Sequence, residues 1–526
     1  FSPAIGDLAG AAGGAVLECN FGQKPFKFPP PKGFKALTLS NVSNIGSKAA
    51  YDPENYYNTV IWSGDNASPR TITALEFEPD FIWTKRRNST ASHLLYDSVR
   101  GFGETKHLHS DASDAEGSMN ELNTNVAGFV SDNASNGFVL TAGTSNHDAT
   151  NGSGNTYVAW CWKAGDNDEI ITYTTKVVSD SGNKYRFDDF GTSAVTLELA
   201  EGQTYIFDQS DSSNSGHPIR FSTTSDGTHG GGSEFTTGVT VEGIPGSAGA
   251  RTIITVPAGT ATLHYYCSVH SGMGGQANTN TTKGYSNFAG SIQSKVSSNT
   301  DAGFSIVSYT GTGANATVGH GLNSPPEYVI VKNRDGGQNW VVGSDAVDNW
   351  GTILYLNNDQ AKEPTGGSTY WNSTAPTSSV INIGTGANTN NNSANMIAYC
   401  FHSVEGYSKF GSYTGNASGS SPNADGPFVY LGFKPFFLMI KRFDSNFGRE
   451  WSMHDTTRSP NNPNRLVIAA DLPNGEITQG GIDFLSNGFK IRDGAGWTNQ
   501  SNGNYVYMAF AEAPSMNLYG AQATAR

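Results

Sequence analysis

The chain has 526 residues and a net charge of −14, with only 15% of residues charged. A length of this order exceeds what one core organises, so roughly three to five domains are expected. Its 28 Phe, 22 Tyr and 9 Trp are ample core material and argue against disorder. The acidic balance, without a basic cluster long enough to follow a phosphate backbone, argues against nucleic-acid binding. No apolar run approaches the ~20 residues that span a bilayer, so no membrane insertion is expected. Short apolar-aromatic runs separated by Gly, Asn, Ser and Asp clusters, with no sustained helical periodicity, predict an all-β chain of tandem antiparallel β-sandwiches.

Residues 1–45 read as the C-terminal end of a domain plus a linker. Val16-Leu17-Glu18-Cys19-Asn20-Phe21 alternates like a strand, and Phe28-Pro29-Pro30-Pro31 leaves it as a stiff, extended exit. Asn20-Phe21-Gly22-Gln23-Lys24-Pro25-Phe26 and Gly33-Phe34-Lys35-Ala36-Leu37 resemble the closing segment of SPRY-like sandwiches, which precede similar repeats in marine phage fibre proteins. The chain starts Phe1-Ser2-Pro3, without Met and without a visible secretion signal, as a processed product or a fragment would.

One stretch then occurs three times. Pro79-Asp80-Phe81-Ile82-Trp83-Thr84-Lys85 returns as Pro326-Glu327-Tyr328-Val329-Ile330-Val331-Lys332 and as Pro435-Phe436-Phe437-Leu438-Met439-Ile440-Lys441. At nearly equal distances beyond come closing strands ending in Ala159-Trp160-Cys161-Trp162, Ala398-Tyr399-Cys400-Phe401 and Ala509-Phe510. The repeats span residues 46–166, 281–404 and 405–526, each predicted as a small β-sandwich, the last two joined rigidly through Ser403-Val404-Glu405-Gly406-Tyr407. A module used three times suggests an extended, beaded protein. Ser-Asn-Gly-Phe at 135–138 and 486–489 marks hairpins whose Asn-Gly supplies positive φ. Cys161 and Cys400, equivalent to Ala511, read as buried small apolar residues, and no disulfide framework is expected among them, Cys19 and Cys267. Lys85-Arg86-Arg87 reads as a solvated strand end, His107-Leu108-His109 as a solvated alternating face, and residues 111–116 as an acidic loop without calcium-loop spacing.

Glu78 to Lys85, Leu95-Tyr96-Asp97-Ser98-Val99-Arg100-Gly101, Asn155 to Gly165 and Tyr407 to Gly415 resemble a repeat found in tail-fibre and other appendage proteins of marine phages, especially those of cyanobacteria. The resemblance covers about three fifths of the chain. It implies a virion location, contact with other virion proteins and with a host surface glycan or protein receptor, a homotrimer, and no enzymatic activity.

Residues 167–280 interrupt the repeats. They contain His217 in Gly216-His217-Pro218 and the sequence Cys267-Ser268-Val269-His270-Ser271-Gly272-Met273 directly after a strand. A thiolate, two imidazoles and a thioether suit copper, whose two oxidation states favour a mixed soft and nitrogen ligand set. His229, in the Gly/Ser/Thr-rich segment 222–233, is an alternative ligand. A retained scaffold without metal, in which Cys267 is a buried thiol and His217 a turn residue, is the competing reading. The strands at 195–199, 203–208, 252–256 and 261–266 with this spacing resemble the cupredoxin Greek-key sandwich. The resemblance implies His217, Cys267 and His270 as strong copper ligands and Met273 as a weak axial one.

No nucleophile elbow, zinc-protease helix or phosphate-binding loop occurs. The expected function is a structural and adhesive virion appendage. The alternatives are an extracellular copper protein and a non-viral surface adhesin or filament subunit. Trp340, Trp371, Trp451 and Trp497 are weighed as sugar contacts against the core role that their size favours.

Overall fold

The computed structural model describes residues 52–118, 128–143, 148–165, 169–417, 425–445, 449–494 and 496–513. The SPRY-like segment and Cys19 lie outside the described residues. The chain is all-β, built of antiparallel sheets with a few short helical turns.

Each repeat builds an inner sheet in which a closing strand is central. In module 1 the closing strand Thr156–Trp162 lies between the opening strand Tyr57–Ser63 and the anchor strand Phe81–Arg86, with Leu94–Asp97 beyond. Module 2 repeats this with Asn395–Phe401 between Phe304–Thr310 and Tyr328–Asn333. Module 3 repeats it with Asn504–Ala511 between Ser408–Thr414 and Pro435–Arg442.

The closing strands are apolar on both faces, and the two faces meet different neighbours. Tyr157, Ala159 and Cys161 face the module's own second layer, whereas Val158, Trp160 and Trp162 face away from it. In module 2 the same division separates Met396, Ala398 and Cys400 from Ile397, Tyr399 and Phe401. In module 3 it separates Tyr505, Tyr507 and Ala509 from Val506, Met508 and Phe510, and the register opposite the anchor strand makes Ala509, rather than Ala511, the equivalent of Cys161 and Cys400. The outward sets of all three modules merge into one core, a central hub with Phe81 stacked on Tyr399 at 4.4 Å and Tyr57 stacked on Phe510 at 5.1 Å. Period-2 alternation assigns each side chain to one of these two cores. The three modules therefore close on each other, and the extended, beaded arrangement is corrected: each module would expose an aromatic face if strung out, and burial against two neighbours removes it from water.

Three joints seal the hub in cyclic order, module 2 onto 1, 1 onto 3 and 3 onto 2. The repeat lysine sits at each of them. Its strand parity, with Phe81 and Trp83, places Lys85 on the hub side, and so for Lys332 and Lys441. All three are buried. Lys332 Nζ donates to Ser113 O of module 1 at 3.0 Å, Lys85 Nζ to Pro473 O of module 3 at 3.0 Å, and Lys441 Nζ to Asn358 O of module 2 at 3.5 Å. One ring nitrogen follows the same cycle: Trp340 Nε1 donates to His109 O at 2.8 Å, Trp451 Nε1 to Tyr355 O at 2.9 Å, and His93 Nε2 lies 2.9 Å from Ala469 O.

Two joints add charge. Tyr399 donates to Asp97 at 2.8 Å, and Asp97 pairs with Arg100, which also pairs with Glu116 at 3.0 Å, as does Arg334 of module 2. Between modules 1 and 3 the equivalents are Trp160 donating to Asp455 at 3.0 Å, Arg458 pairing with Asp455 and with Glu476, and Arg87 pairing with Glu476 at 3.0 Å. The third joint has Met508, Ser344, Val347 and Phe443 at the corresponding places, and the Lys362 ammonium lies 5.5 Å from the Phe443 ring centroid. Around these charged positions only the backbone bond persists at all three: Glu116 N to Arg334 O, Glu476 N to Arg87 O and Lys362 N to Phe443 O.

Several local expectations change accordingly. Lys85 is buried rather than solvated, His107 and His109 are buried and stacked at 5.0 Å, and the acidic loop carries Glu116 into a joint. Trp340, Trp371 and Trp451 are core residues, and Trp497 is half-buried. In the two Ser-Asn-Gly-Phe hairpins the Asn is not at positive φ. Glycine is needed there because a neighbouring carbonyl approaches: a Cβ on Gly137 would lie 1.7 Å from Ile72 O, and one on Gly488 2.0 Å from Val429 O.

Residues 170–280 form a two-sheet sandwich between modules 1 and 2. One sheet orders Val239–Glu242, Arg251–Thr255, Thr204–Asp208, Ile170–Ser179 and Asn183–Phe187; the other orders Leu197–Ala200, Gly275–Asn280, Leu263–Cys267 and Ile219–Ser222. Each sheet contains one parallel pair. The sandwich is fixed at its base: Phe288 of the following hairpin enters its core, Tyr173 donates to Ser286 O at 2.9 Å, and Gln293 donates to Thr196 O at 2.7 Å.

Two measurements test the joints. Asp97→Ala strands the buried Arg100 guanidinium and should cost about 3–5 kcal/mol, whereas Ser344→Ala at the equivalent place should cost about 1 kcal/mol or less; denaturant unfolding midpoints of the two variants give the comparison. Burial pushes the Lys332 ammonium down to about 8 against an ordinary 10.5, with Asp114 opposing. A lysine lowered in the folded state burdens folding below that value, and the burden is relieved as pH rises toward the unfolded value. Stability of the wild type relative to Lys332→Met should therefore rise from about pH 8 toward the ordinary value of 10.5. A difference that stays flat or falls would contradict this.

Candidate metal centre

The site lies at the tip of the inserted sandwich. The chain enters at Ile170 and leaves at Asn280, and the strand Leu263–Cys267 runs antiparallel to Gly275–Asn280, so Cys267 ends at the edge farthest from the hub. Ile219 is registered opposite Cys267, and this pairing brings His217, two residues earlier, beside the cysteine. The loop after Cys267 carries His270 and Met273.

The ligand atoms converge. Cys267 Sγ lies 3.9 Å from His217 Nδ1 and 3.8 Å from His270 Nδ1, and the two imidazole centroids are 4.6 Å apart. All three ligand atoms fall within 4.8 Å of one another, the one such group among the described residues. A metal with bonds of about 2.3 Å to sulfur and about 2.0 Å to nitrogen needs a sulfur–nitrogen separation of about 3.6 Å in trigonal or tetrahedral geometry. The observed spacing fits that need with small side-chain adjustments. Cys267 and Met273 are buried in the sandwich core, His217 is half-buried and His270 is exposed. The sulfur therefore sits on the dry side and one imidazole edge faces water. Burial, then the neighbouring His270, holds the His217 imidazole below its ordinary value, which favours the neutral form that ligates metal.

The surroundings hold His217 and Cys267 by their backbones. His217 N donates to Asn214 O at 2.8 Å, and the His217 carbonyl accepts from Gln209 Nε2 at 2.8 Å and from the Tyr185 hydroxyl at 2.9 Å. His229 does not join the cluster. Its Nε2 lies 3.0 Å from Cys267 O, and Asp226 accepts from Gly272 N at 2.9 Å, so the Gly/Ser/Thr-rich segment braces the ligand loop from outside. Tyr185 and Gln209, both buried, are the functional neighbours that spacing in the sequence did not reveal. Their link to the site runs through sheet pairing and backbone carbonyls, which leave no side-chain motif. Cys161 and Cys400 are buried far from the cluster in modules 1 and 2, and burial pushes the Cys400 thiol up to about 12.

The family described as "Domain of unknown function (DUF7483)" matches residues 52–195 and 277–514, and the chain belongs to that family. The match runs through all three modules of the ring. His217, Cys267, His270 and Met273 fall in its gap. No curated protein and no solved structure matches the chain.

A brace and a ligand respond differently to removal. His229→Ala should keep a 1:1 copper stoichiometry, whereas His270→Ala should weaken binding by about tenfold or more, read by titration of the purified chain with a competing chelator. A loss of stoichiometry in His229→Ala would make His229 a ligand.

Proposed function

We propose that this chain is a non-enzymatic structural protein of a phage virion appendage, and that its inserted sandwich is a cupredoxin-like copper carrier held on the three-module ring. The observation that carries the copper half is the convergence of Cys267, His217 and His270 at near-bonding spacing, with the sulfur buried and Met273 in the same core. In this reading His217 and His270 supply nitrogen, Cys267 supplies thiolate and Met273 is the weak axial group. Bound copper would supply a one-electron couple or, with no redox partner, a cross-link between the two ligand segments. The protein's own contribution is to keep the thiol dry, to hold the His217 imidazole by its backbone and to leave the His270 edge in water.

The appendage half rests on the repeat phrases that resemble marine phage fibres, and closure of the ring supports it. Three modules that bury their aromatic faces against one another make a stiff body with its loops outward, suited to extracellular use. Other virion proteins and a host glycan or protein receptor are its partners in this reading, and a homotrimer would be an assembly of such rings.

Copper titration of the full chain tests the first half: uptake of one equivalent with a thiolate-to-copper absorption band, lost in Cys267→Ser, is expected. No uptake would remove the copper site and leave the scaffold reading. Immunogold electron microscopy with an antibody against module 3 tests the second half. Label on projecting virion fibres is expected, and label confined to cell surfaces would replace the phage reading with a cellular adhesin.

A further inference from the structure

The two ligand-bearing segments belong to different parts of the chain: His217 stands before one strand, and Cys267, His270 and Met273 follow another. They are joined directly by the pairing of Ile219 with Cys267 and by Ser268 N donating to Pro218 O at 3.2 Å, and a residue of the opposite sheet that touches both adds a further tie. Tyr185, in the strand Asn183–Phe187 of the opposite sheet, does so. It is fully buried. Its hydroxyl donates to His217 O at 2.9 Å, and its backbone N–H donates to Met273 O at 3.0 Å. Its own carbonyl is held by Ala194 N at 2.8 Å, so the residue cannot shift without breaking its strand end.

We propose that Tyr185 is the positioning residue of the metal centre, clamping the His217 segment and the Cys267–Met273 loop into one ligand geometry. The inference rests on the copper reading above and adds what sets the geometry. A His217 carbonyl held from the opposite sheet limits the swing of its imidazole, and a Met273 carbonyl held by the same residue ties the loop to that position. The other donor to that carbonyl, Gln209, also accepts from Ile219 N at 3.1 Å, so it ties His217 only to its own strand. Tyr185 alone of the two spans both segments.

The test uses the full chain, Cu(II) as the probe, and Tyr185→Phe, which keeps the ring and removes the hydroxyl. Chelator competition, the energy of the thiolate-to-copper band and the copper hyperfine splitting are compared between wild type and variant, with melting of the copper-free proteins as the control. The expected result is about a tenfold to hundredfold loss of affinity with a shifted band and altered hyperfine splitting, while the copper-free melting point moves little. An unchanged band and splitting in a variant that binds copper overturns the positioning role and leaves the copper site standing. Absence of copper uptake by the wild type overturns both. If Tyr185→Phe fails to fold, Gln209→Met, which removes the other donor to the same carbonyl, is read instead. A loss of affinity is then expected, since the same His217 carbonyl loses a donor. Unchanged affinity in Gln209→Met would show that the carbonyl need not be held and overturn the positioning role.

Discussion

The ring depends on one constraint, the apolar character of both faces of the three closing strands. A strand with one wet face belongs at the surface of a sandwich. A strand such as Thr156–Trp162, with Tyr157, Ala159 and Cys161 on one side and Val158, Trp160 and Trp162 on the other, demands cover twice. Its module supplies the first cover and the two other modules supply the second. The lysine that ends each anchor strand follows from the same geometry. It stands on the hub side at the rim, where an apolar residue would leave neighbouring carbonyls without a donor, and its ammonium satisfies them at the cost of desolvation.

Much of this was legible in the sequence and some was not, for identifiable reasons. The repeats, the strands within them and the burial of Cys161 and Cys400 follow from local pattern. So does the Cys267–His270–Met273 loop, because three of its groups lie within seven residues. Closure of the ring did not follow. Strong apolarity on both faces of a strand states that a second cover exists without saying whether another layer, another module or another chain provides it. Lys85 misled for a related reason: a charged residue at a strand end usually points to water, and strand parity alone, without the neighbour's carbonyls, could not say otherwise. Tyr185 was hidden because it acts through backbone atoms of residues far from it in the chain.

The site and the ring divide the work between them. The inserted sandwich is anchored at its base through Phe288 and Ser286, and the ligand cluster is at the opposite end. A strand of five to six residues spans about 17–20 Å, so the cluster stands clear of the hub surface. A rigid body with a compact site held away from it presents that site in one fixed direction, which a string of freely jointed domains would not do.

The uneven joints respond differently to the same change. At two joints an acid, its arginine, a second arginine and glutamate, and an aromatic donor stand together; at the third, Ser344, Val347, Phe443, Lys362 and Met508 stand in their places. Removing one member of a charged set leaves its buried partner short of a counterpart, whereas at the third joint the cost falls on the group brought in: an acid placed alone at Ser344 would be buried without the arginine that the other two joints supply. The ring is therefore threefold in its fold and twofold in its sensitivity to charge.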